Sequence, residues 1–239
     1  MAKKAQMPRG GVQRKVAPAA KRKSSAGAQW VLWAVIGAVV LLMVGVILLQ
    51  SQALRKPVET TNRTGEGAAW GPAGAKVKII EYSDFGCTYC RQFALNQGKQ
   101  LRAEYEAGGQ VRFEFRSFII EGPTTAGAAN AAECAADQWR FWDYHDILFN
   151  QQGVGAVQSI FSKASLKQYG AQLGLAADQF NRCVDGDQHL DKVYRQTSEG
   201  RGLGVTATPT FFINGQKIEG AASYAEFKTL IDAAIAAGS

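Results

Sequence analysis

The sequence contains little histidine and little cysteine. Its 239 residues include two histidines and four cysteines. Only Cys87 and Cys90 form a close pair; the isolated residues are Cys134, Cys183, His145 and His189. A structural zinc site needs four ligands, usually in two closely spaced pairs. The spacing therefore argues against zinc at Cys87 and Cys90, and we predict no metal and no cofactor.

Acidic residues are absent from the first 56 positions, which hold ten lysines or arginines. Residues 57–239 hold 17 basic and 20 acidic residues, so the net charge of +7 belongs to the N-terminal segment. A domain that binds nucleic acid is expected to carry its basic residues on its folded surface. The charge distribution therefore predicts no nucleic-acid partner.

Charge of either sign is missing from the twenty residues between Trp30 and Leu49. As a helix this run would span about 30 Å, the thickness of a bilayer core. Eight basic residues precede it, which predicts a cytoplasmic N-terminus. A cleaved signal peptide is the alternative, because Ser51-Gln-Ala53 could be a cleavage site, but such peptides have shorter apolar runs. We predict an uncleaved single-pass anchor in the cell membrane and an extracytoplasmic domain, where disulfides are permitted.

Composition divides the chain into four parts. Residues 1–29 are basic and polar and are expected to be disordered, residues 30–49 form the anchor, and residues 50–75, rich in glycine and threonine, form a linker. Residues 76–239 form the folded domain.

Cys87 and Cys90 lie where a predicted strand, Lys76 to Tyr82, meets a predicted helix, Arg91 to Glu106. Unpaired N–H groups in the first helical turn would stabilise a thiolate at Cys87 and lower its pKa. Cys90 follows nearly one turn later, close enough to form a disulfide with Cys87. The pattern therefore predicts a redox-active pair.

The rest of the domain alternates strand and helix signals. A strand over Gln110–Ile120 completes a βαβ unit, and helices fill about 124–200, the first capped by Thr124 or Thr125. We interpret the tryptophans that follow, Trp139 and Trp142, as core residues, with a substrate groove as the alternative. The closing elements are the strands Thr210–Ile213 and Gln216–Ile218, joined by an Asn-Gly turn, and a helix over Tyr224–Ala237.

Three segments resemble the DsbA-like group of thioredoxin-fold disulfide oxidoreductases. Glu81 to Cys90 resembles the active-site segment, Ala131 to His145 the inserted helical region, and Thr208 to Gly215 the cis-proline segment. The resemblance implies an α/β thioredoxin fold with an inserted helical subdomain at about 124–200, here preceded by one transmembrane helix. Thr88 stands where many relatives have proline, which leaves the redox potential open.

The resemblance also implies the roles of the site residues. Cys87 would be the attacking thiolate and Cys90 the buried resolving cysteine. Glu81 would be a buried acid that relays a proton to or from Cys90, although it could instead be a surface residue of the strand. Pro209 would be cis rather than trans, and the backbone at Thr208 would pair with an extended substrate.

Cys134 and Cys183 are the cysteines that remain in an oxidising compartment, and each lies in a predicted helix. We predict that they form a structural disulfide; the alternative is two separate buried thiols.

Together these features predict a membrane-anchored thiol:disulfide oxidoreductase that donates disulfides to extracytoplasmic proteins through Cys87-Thr-Tyr-Cys90. Its expected partners are proteins with thiols or disulfides and a membrane redox partner that recharges the site. A reductase or isomerase with the same site is one alternative. A peptide-binding chaperone that needs no redox chemistry is another.

Overall fold

The computed structural model describes residues 26–53 and 67–237, with the side chains of residues 31, 33–46 and 67–237. The chain divides into two compact units, Met1–Pro57 and Val58–Ser239. The predicted disordered tail, up to residue 25, and most of the predicted linker lie outside the described residues.

The first unit contributes one helix, α1, over Ala26–Ala53. Among its described side chains, Trp33, Leu41 and Leu42 are exposed. Within the described residues, no helix is both long enough and apolar enough to cross a membrane. The anchor at residues 30–49 therefore stays a prediction.

The second unit is built around a sheet with helices on both faces. Its elements, in chain order, are β1 (Ala69–Trp70), β2 (Val77–Ser83), α2 (Thr88–Leu95), α3 (Gln97–Tyr105), β3 (Val111–Ser117), α4 (Pro123–Ala136), α5 (Phe141–Gln151), α6 (Val157–Ile160), α7 (Lys163–Gln172), α8 (Ala177–Asp185), α9 (Leu190–Gly202), β4 (Thr210–Ile213), β5 (Gln216–Glu219) and α10 (Tyr224–Ala237).

The strands are ordered β1-β3-β2-β4-β5. β2 is parallel to β3, with Ile79 opposite Phe113, and antiparallel to β4, with Glu81 opposite Phe211. The predicted βαβ unit and the predicted hairpin are both present. This mixed sheet confirms the predicted α/β class, and it places β2, which leads to Cys87, at the centre of the domain.

The larger core lies on the face of the sheet that carries the side chain of Ile79. Phe93 from α2 packs there with its ring centroid 4.5 Å from that of Phe211 and 5.3 Å from that of Phe227. Aromatic pairs at such separations add stability beyond the apolar area they bury. These rings hold α2, and with it Cys87 and Cys90, against the sheet and α10.

Helices α4 to α9 lie between β3 and β4 in the chain, where the insertion was predicted. Cys134 on α4 and Cys183 on α8 are joined by a disulfide. Both cysteines are buried, so the bond ties two helices together inside the helical region.

Replacing Cys134 and Cys183 together with alanine is expected to lower the free energy of unfolding by roughly 2–4 kcal/mol. The cysteines are 49 residues apart, and a loop of this length has about 4 kcal/mol of closure entropy in the chain-entropy model. Denaturant unfolding of the wild type and the double variant measures the difference. A loss below about 1 kcal/mol would contradict the expectation.

The single helix predicted over Arg91–Glu106 is wrong, because Asn96 separates α2 from α3. Its backbone (φ −117°, ψ −86°) is not helical. Its side-chain Nδ2 donates to the carbonyl of Gln92 at 2.8 Å, and its N–H donates to the carbonyl of Phe93 at 3.2 Å. Asn96 thus provides hydrogen bonds to the carbonyls at the end of α2. The sequence pattern does not reveal this break, because helical periodicity continues on both sides of Asn96.

Two further predictions near the strands are wrong. Ala69 and Trp70 form an edge strand inside the predicted linker, and the ring of Trp70 stacks on Phe113 with centroids 5.3 Å apart. A two-residue strand shows no alternation by which it could be recognised.

Gly122, rather than a threonine, is the N-cap of α4, and the Thr125 hydroxyl donates to the Gly122 carbonyl instead of accepting from a helix N–H.

The two tryptophans of the helical region have different environments. Trp142 is buried, as predicted for a core residue. Trp139 is 70% exposed and has φ 60° in the turn between α4 and α5, so the core assignment is wrong there. A residue in the left-handed region interrupts helical spacing, and this interruption turns Trp139 away from the core.

Candidate active site

Cys87 stands at the junction of strand and helix that the sequence predicts. β2 ends at Ser83, and Cys87 is the N-cap of α2, with extended backbone angles of φ −76° and ψ 122°. Its N–H donates to the carbonyl of Asp84 at 3.0 Å. The side chain is thereby held beside the first turn of the helix.

The buried carboxylate of Asp84 organises the loop that precedes Cys87. Oδ1 accepts the N–H of Gly86 at 2.9 Å, and Oδ2 accepts the N–H groups of Ile120 and Glu121 at 2.8 and 2.9 Å. The carboxylate thus joins the loop after β2 to the segment after β3. Sequence analysis assigned Asp84 no such role, although an aspartate two residues before a glycine is a turn signal.

Gly86 allows this loop to pack closely against the start of the helical region. A Cβ at this position would lie 2.7 Å from Cγ2 of Thr125 and 2.8 Å from Cβ of Glu121. These distances leave no space for a side chain without movement of its neighbours. Glycine is therefore required by the close approach immediately before Cys87.

Cys87 and Cys90 are free thiols with opposite pKa shifts. A hydrogen bond from the Cys90 thiol is the main influence that lowers the pKa of Cys87, to about 6. Burial opposes this shift, whereas the side chain of Thr208 and the N–H groups of Cys90 and Tyr89 add to it. The direction agrees with the expectation from the helix terminus, but the partner thiol contributes more than the helix N–H groups.

The pKa of Cys90 is raised well above its ordinary value, chiefly by burial. Its hydrogen bond to Cys87 and the negative charges of Cys87 and Glu81 raise it further. Cys90 is fully buried. At neutral pH the pair therefore consists of a thiolate at Cys87 and a thiol at Cys90.

The segment before β4 approaches Cys87 from the other side. The Thr208–Pro209 peptide bond is cis. Sγ of Cys87 lies 3.3 Å from the carbonyl oxygen of Thr208, although 121 residues separate the two in the chain. The fold therefore brings together Cys87, Cys90, Thr208 and Pro209.

Glu81 is buried on β2, so the alternative of a surface glutamate is wrong. Its carboxyl group lines a cavity of about 10 Å³ with Arg102, Trp142 and His145. That volume is near the minimum for one water molecule. Burial raises the pKa of Glu81 to about 8, against the hydrogen bond from Ser83 and the charge of Arg102. Glu81 therefore carries its proton over much of the neutral range.

A family model described as Thioredoxin matches residues 63–233. The chain belongs to the thioredoxin family. Among curated relatives, disulfide bond formation protein D of Bacillus subtilis is 23% identical over 167 residues, which are 68% of this chain and 74% of that protein. A Na(+)/H(+) antiporter NhaA of Herminiimonas arsenicoxydans is 33% identical over 150 residues, 63% of this chain. The match covers only 22% of that relative, so this chain spans about a fifth of its length.

Solved structures show the same thioredoxin-like fold. Oxidised BdbD from Bacillus subtilis aligns with a TM-score of 0.65 at 23% identity, over 72% of this chain and 95% of that one. α-DsbA1 from Wolbachia pipientis aligns with a TM-score of 0.65 at 24% identity, over 72% of this chain and 92% of that one. The thioredoxin-like domain therefore continues through the helices between β3 and β4.

Two residues near the site of this thioredoxin-family domain have structural contacts. Arg91, which the sequence places beside the cysteines, donates from Nε to the carbonyl of Phe149 at 2.9 Å. His145 is buried among aromatic rings, including Phe149, and its Nδ1 lies 2.8 Å from Oδ1 of Asp146. Arg91 thereby joins α2 to α5, and the ring of His145 also packs against those of Phe85 and Phe115.

Exposed apolar side chains adjoin the thioredoxin-type dithiol. Tyr89, between the two cysteines, is 65% exposed, and Ile120, beside the loop that Asp84 fixes, is 46% exposed. Sequence analysis included Tyr89 in the motif without a role. The structure leaves its ring largely open to solvent.

Glu81→Gln is expected to change how stability depends on pH. Because burial raises the folded-state pKa of Glu81 from 4.5 to about 8, the unfolded chain binds fewer protons between these values. Wild-type stability should therefore fall by a few kcal/mol between pH 5 and 8 from this group, and the variant should lack that decrease. Denaturant melts of the oxidised proteins at several pH values measure it.

Glu114→Gln is the matched control, because it alters a glutamate on the neighbouring strand. Burial alone would raise the pKa of Glu114, but its ion pairs with Arg112 and Arg116 lower it overall. Its melts should retain the decrease between pH 5 and 8. Parallel pH profiles for wild type and Glu81→Gln would contradict a buried, protonated Glu81.

Proposed function

We propose that the protein is a thiol:disulfide oxidoreductase that donates disulfides to proteins outside the cytoplasm. The observation that carries the proposal is the position of Cys87 at the N-cap of α2, 3.3 Å from the carbonyl of Thr208 and three residues before the buried Cys90, an arrangement that lowers the pKa of Cys87. A stabilised thiolate favours the reduced form, so the oxidised form tends to pass its disulfide to other thiols. The curated relatives named disulfide bond formation proteins support the same reaction class.

The reaction is thiol–disulfide exchange in two steps. A substrate thiolate attacks Cys87 in the Cys87–Cys90 disulfide, and Cys90 leaves with the bond electrons and takes a proton. A second substrate thiolate then attacks the substrate sulfur of the mixed disulfide and releases Cys87 as a thiolate. The substrate loses two electrons and becomes oxidised, and the enzyme pair is reduced.

Glu81 supplies or removes the proton at Cys90 in this proposal. The negative charge of Glu81 raises the pKa of Cys90, which indicates that the groups are near enough to interact. A carboxyl group with a pKa of about 8 can exchange protons at neutral pH in both directions. Glu81 therefore suits the step in which Cys90 changes between thiol and thiolate.

The substrates are unfolded or extended segments with cysteines. The backbone of Thr208 faces Cys87 and could pair with an extended chain as an added strand. The exposed ring of Tyr89 offers an apolar contact beside the sulfur. A redox partner in the membrane would reoxidise the pair after each turnover by accepting two electrons.

The proposed location is the extracytoplasmic side of the cell membrane, with residues 30–49 as the anchor. The uncharged run and the eight basic residues before it support this orientation. The Cys134–Cys183 disulfide supports an oxidising compartment. Similarity to part of proteins named Na(+)/H(+) antiporters is consistent with a domain that works at a membrane.

Protease added outside intact spheroplasts is expected to digest the domain and leave residues 1–29 protected. The reason is the positive-inside rule applied to Trp30–Leu49. Epitope tags at each end, read by immunoblot, report the two regions. Disruption of the membrane is the control, since both tags should then be lost; a protected C-terminal tag in intact spheroplasts would contradict the orientation.

The direction of transfer is tested by equilibrating Cys87–Cys90 with glutathione buffers and measuring the reduced fraction. A donor of disulfides should have a potential clearly above that of thioredoxin, about −270 mV. A potential at or below that value would instead favour the reductase, and reshuffling of scrambled substrate without net oxidation would favour the isomerase.

A further inference from the structure

Three side chains that can bind a metal ion meet in the helical region, away from Cys87. Cys134 lies on α4, Cys183 on α8, and His189 is the N-cap of α9. One ligand atom from each lies within 4.8 Å of the other two. The sequence predicts the pairing of Cys134 with Cys183, 49 residues apart, and the fold adds His189 to the pair.

A fourth side chain adjoins the cluster in an orientation suited to support it. Oδ2 of Asp137 lies 2.8 Å from Nε2 of His189 and 3.9 Å from Sγ of Cys183. Carboxylates that contact a histidine ring in this way orient metal-binding imidazoles. The N–H of His189 also donates to Oδ1 of Asn130 at 2.8 Å, which fixes the backbone of the histidine.

The cluster is buried on one side and open on the other. The cysteines are 1% and 2% exposed, whereas the side chains of His189 and Asp137 are 26% and 39% exposed. An ion could therefore enter from the solvent side and reach the sulfur atoms. The open side also provides a position for water as a fourth ligand.

We propose that reduction of the Cys134–Cys183 disulfide converts this cluster into a zinc site. Cys134, Cys183 and His189 bind the ion, and Asp137 orients His189. A dithiol reductant supplies two electrons and two protons and becomes a disulfide itself; the two thiols then release their protons as Zn²⁺ binds. Two thiolates and an imidazole form a ligand set typical of zinc.

Zinc in this position would replace the cross-link that reduction removes. The disulfide joins α4 to α8, and a metal held by the same sulfurs and His189 would join α4, α8 and α9. Metal-bound thiolates are also less available for exchange with Cys87. The helical region would then remain folded in either redox state.

The test uses the full-length chain in detergent, with Cys87→Ser and Cys90→Ser so that the active-site thiols cannot bind metal. After reduction with a phosphine and removal of the phosphine without air, Co²⁺ is added as a spectroscopic probe. We expect the visible absorption of tetrahedral, thiolate-bound cobalt at one ion per chain, with displacement by Zn²⁺. The oxidised chain should show none of this absorption.

His189→Ala should weaken cobalt binding sharply, and Asp137→Asn should weaken it by about 10–100-fold, the usual effect of losing an orienting carboxylate. Asp178→Asn, an exposed aspartate in the first turn of α8, is the matched control and should bind as the parent does. Zn²⁺ should also raise the melting temperature of the reduced parent. A reduced chain that binds no Co²⁺, or a His189→Ala variant that binds it as tightly as the parent, overturns the proposal.

Discussion

Cys87→Ser is expected to abolish disulfide transfer, with a rate loss of roughly a thousandfold or more, as for other nucleophile replacements. A serine hydroxyl is not ionised at neutral pH and cannot form a disulfide. Cys90 cannot replace Cys87, because Cys90 is fully buried and its pKa is raised. Oxidation of a reduced peptide with two cysteines, catalysed by the oxidised wild type or by the variant, measures the loss.

Cys90→Ser is the informative comparison. Its Cys87 thiolate can still attack the disulfide of an oxidised peptide and release one peptide thiolate, but no second thiol resolves the product. A mixed disulfide between Cys87 and the oxidised peptide should therefore accumulate. Cys87→Ser should form none. Gel electrophoresis without reductant separates the two outcomes.

The same variants separate an enzyme from a chaperone. If the protein acted by binding peptides without redox chemistry, Cys87→Ser would suppress aggregation of unfolded substrates as well as the wild type does and would keep its cellular function. An unchanged variant in both respects would contradict the proposed oxidoreductase.

The elements with strong local signals could be predicted from the sequence. The strand Thr210–Ile213 and the helix Tyr224–Ala237 have the bounds that their patterns predict, because β-branched runs and helical spacing decide both. The placement of Cys87 between a strand and a helix followed from the same signals. The local sequence pattern was therefore sufficient to place Cys87 and Cys90 at the junction.

Features decided by distant contacts could not be predicted in the same way. The carboxylate of Asp84 accepts N–H groups from Ile120 and Glu121, which sequence spacing does not reveal. Asn96 breaks a helix that periodicity continues, and Trp139 leaves the core at one left-handed residue. The approach of His189 to the predicted Cys134–Cys183 pair likewise depends on how three helices pack.

The Cys87 thiolate should persist to a pH near 6. This property is expected to make the protein with Cys87 and Cys90 reduced more stable than the one in which they form a disulfide, with Cys134 and Cys183 joined in both forms. A pKa lowered from 9.0 to about 6 corresponds to an acid dissociation constant roughly a thousandfold larger. Ultraviolet absorbance of the thiolate, or the rate of alkylation of Cys87 as a function of pH, measures this pKa.

A matched pair of variants tests the physical cause. Cys90→Ala removes the thiol that donates to the Cys87 sulfur and should raise the pKa of Cys87 towards its ordinary value. Cys90→Ser retains a hydroxyl donor and should keep much of the depression. Equal values in both variants would assign the shift to the helix N–H groups and Thr208 instead.

The effect on stability follows from proton linkage. Because the folded-state pKa is depressed, the thiolate stabilises the reduced fold fully above the unfolded value of 9.0, and this contribution is lost as pH falls through about 6. At pH 7 it amounts to about 1 kcal/mol after allowance for solvent screening. The oxidised form has no thiolate and gains nothing, whereas Glu81 titrates in both forms and largely cancels from their difference.

Denaturant melts of both redox forms between pH 5 and 8 should therefore show the advantage of the reduced form growing as pH rises. This range lies below the raised pKa of Cys90, so that group adds no competing change. Any gain in the free energy of unfolding of the reduced form also favours transfer of the disulfide to a substrate. A Cys87 pKa near 9, with the oxidised form the more stable throughout, would contradict the donor role. The enzyme would then tend to take disulfides from its substrates, which is the reaction of a reductase.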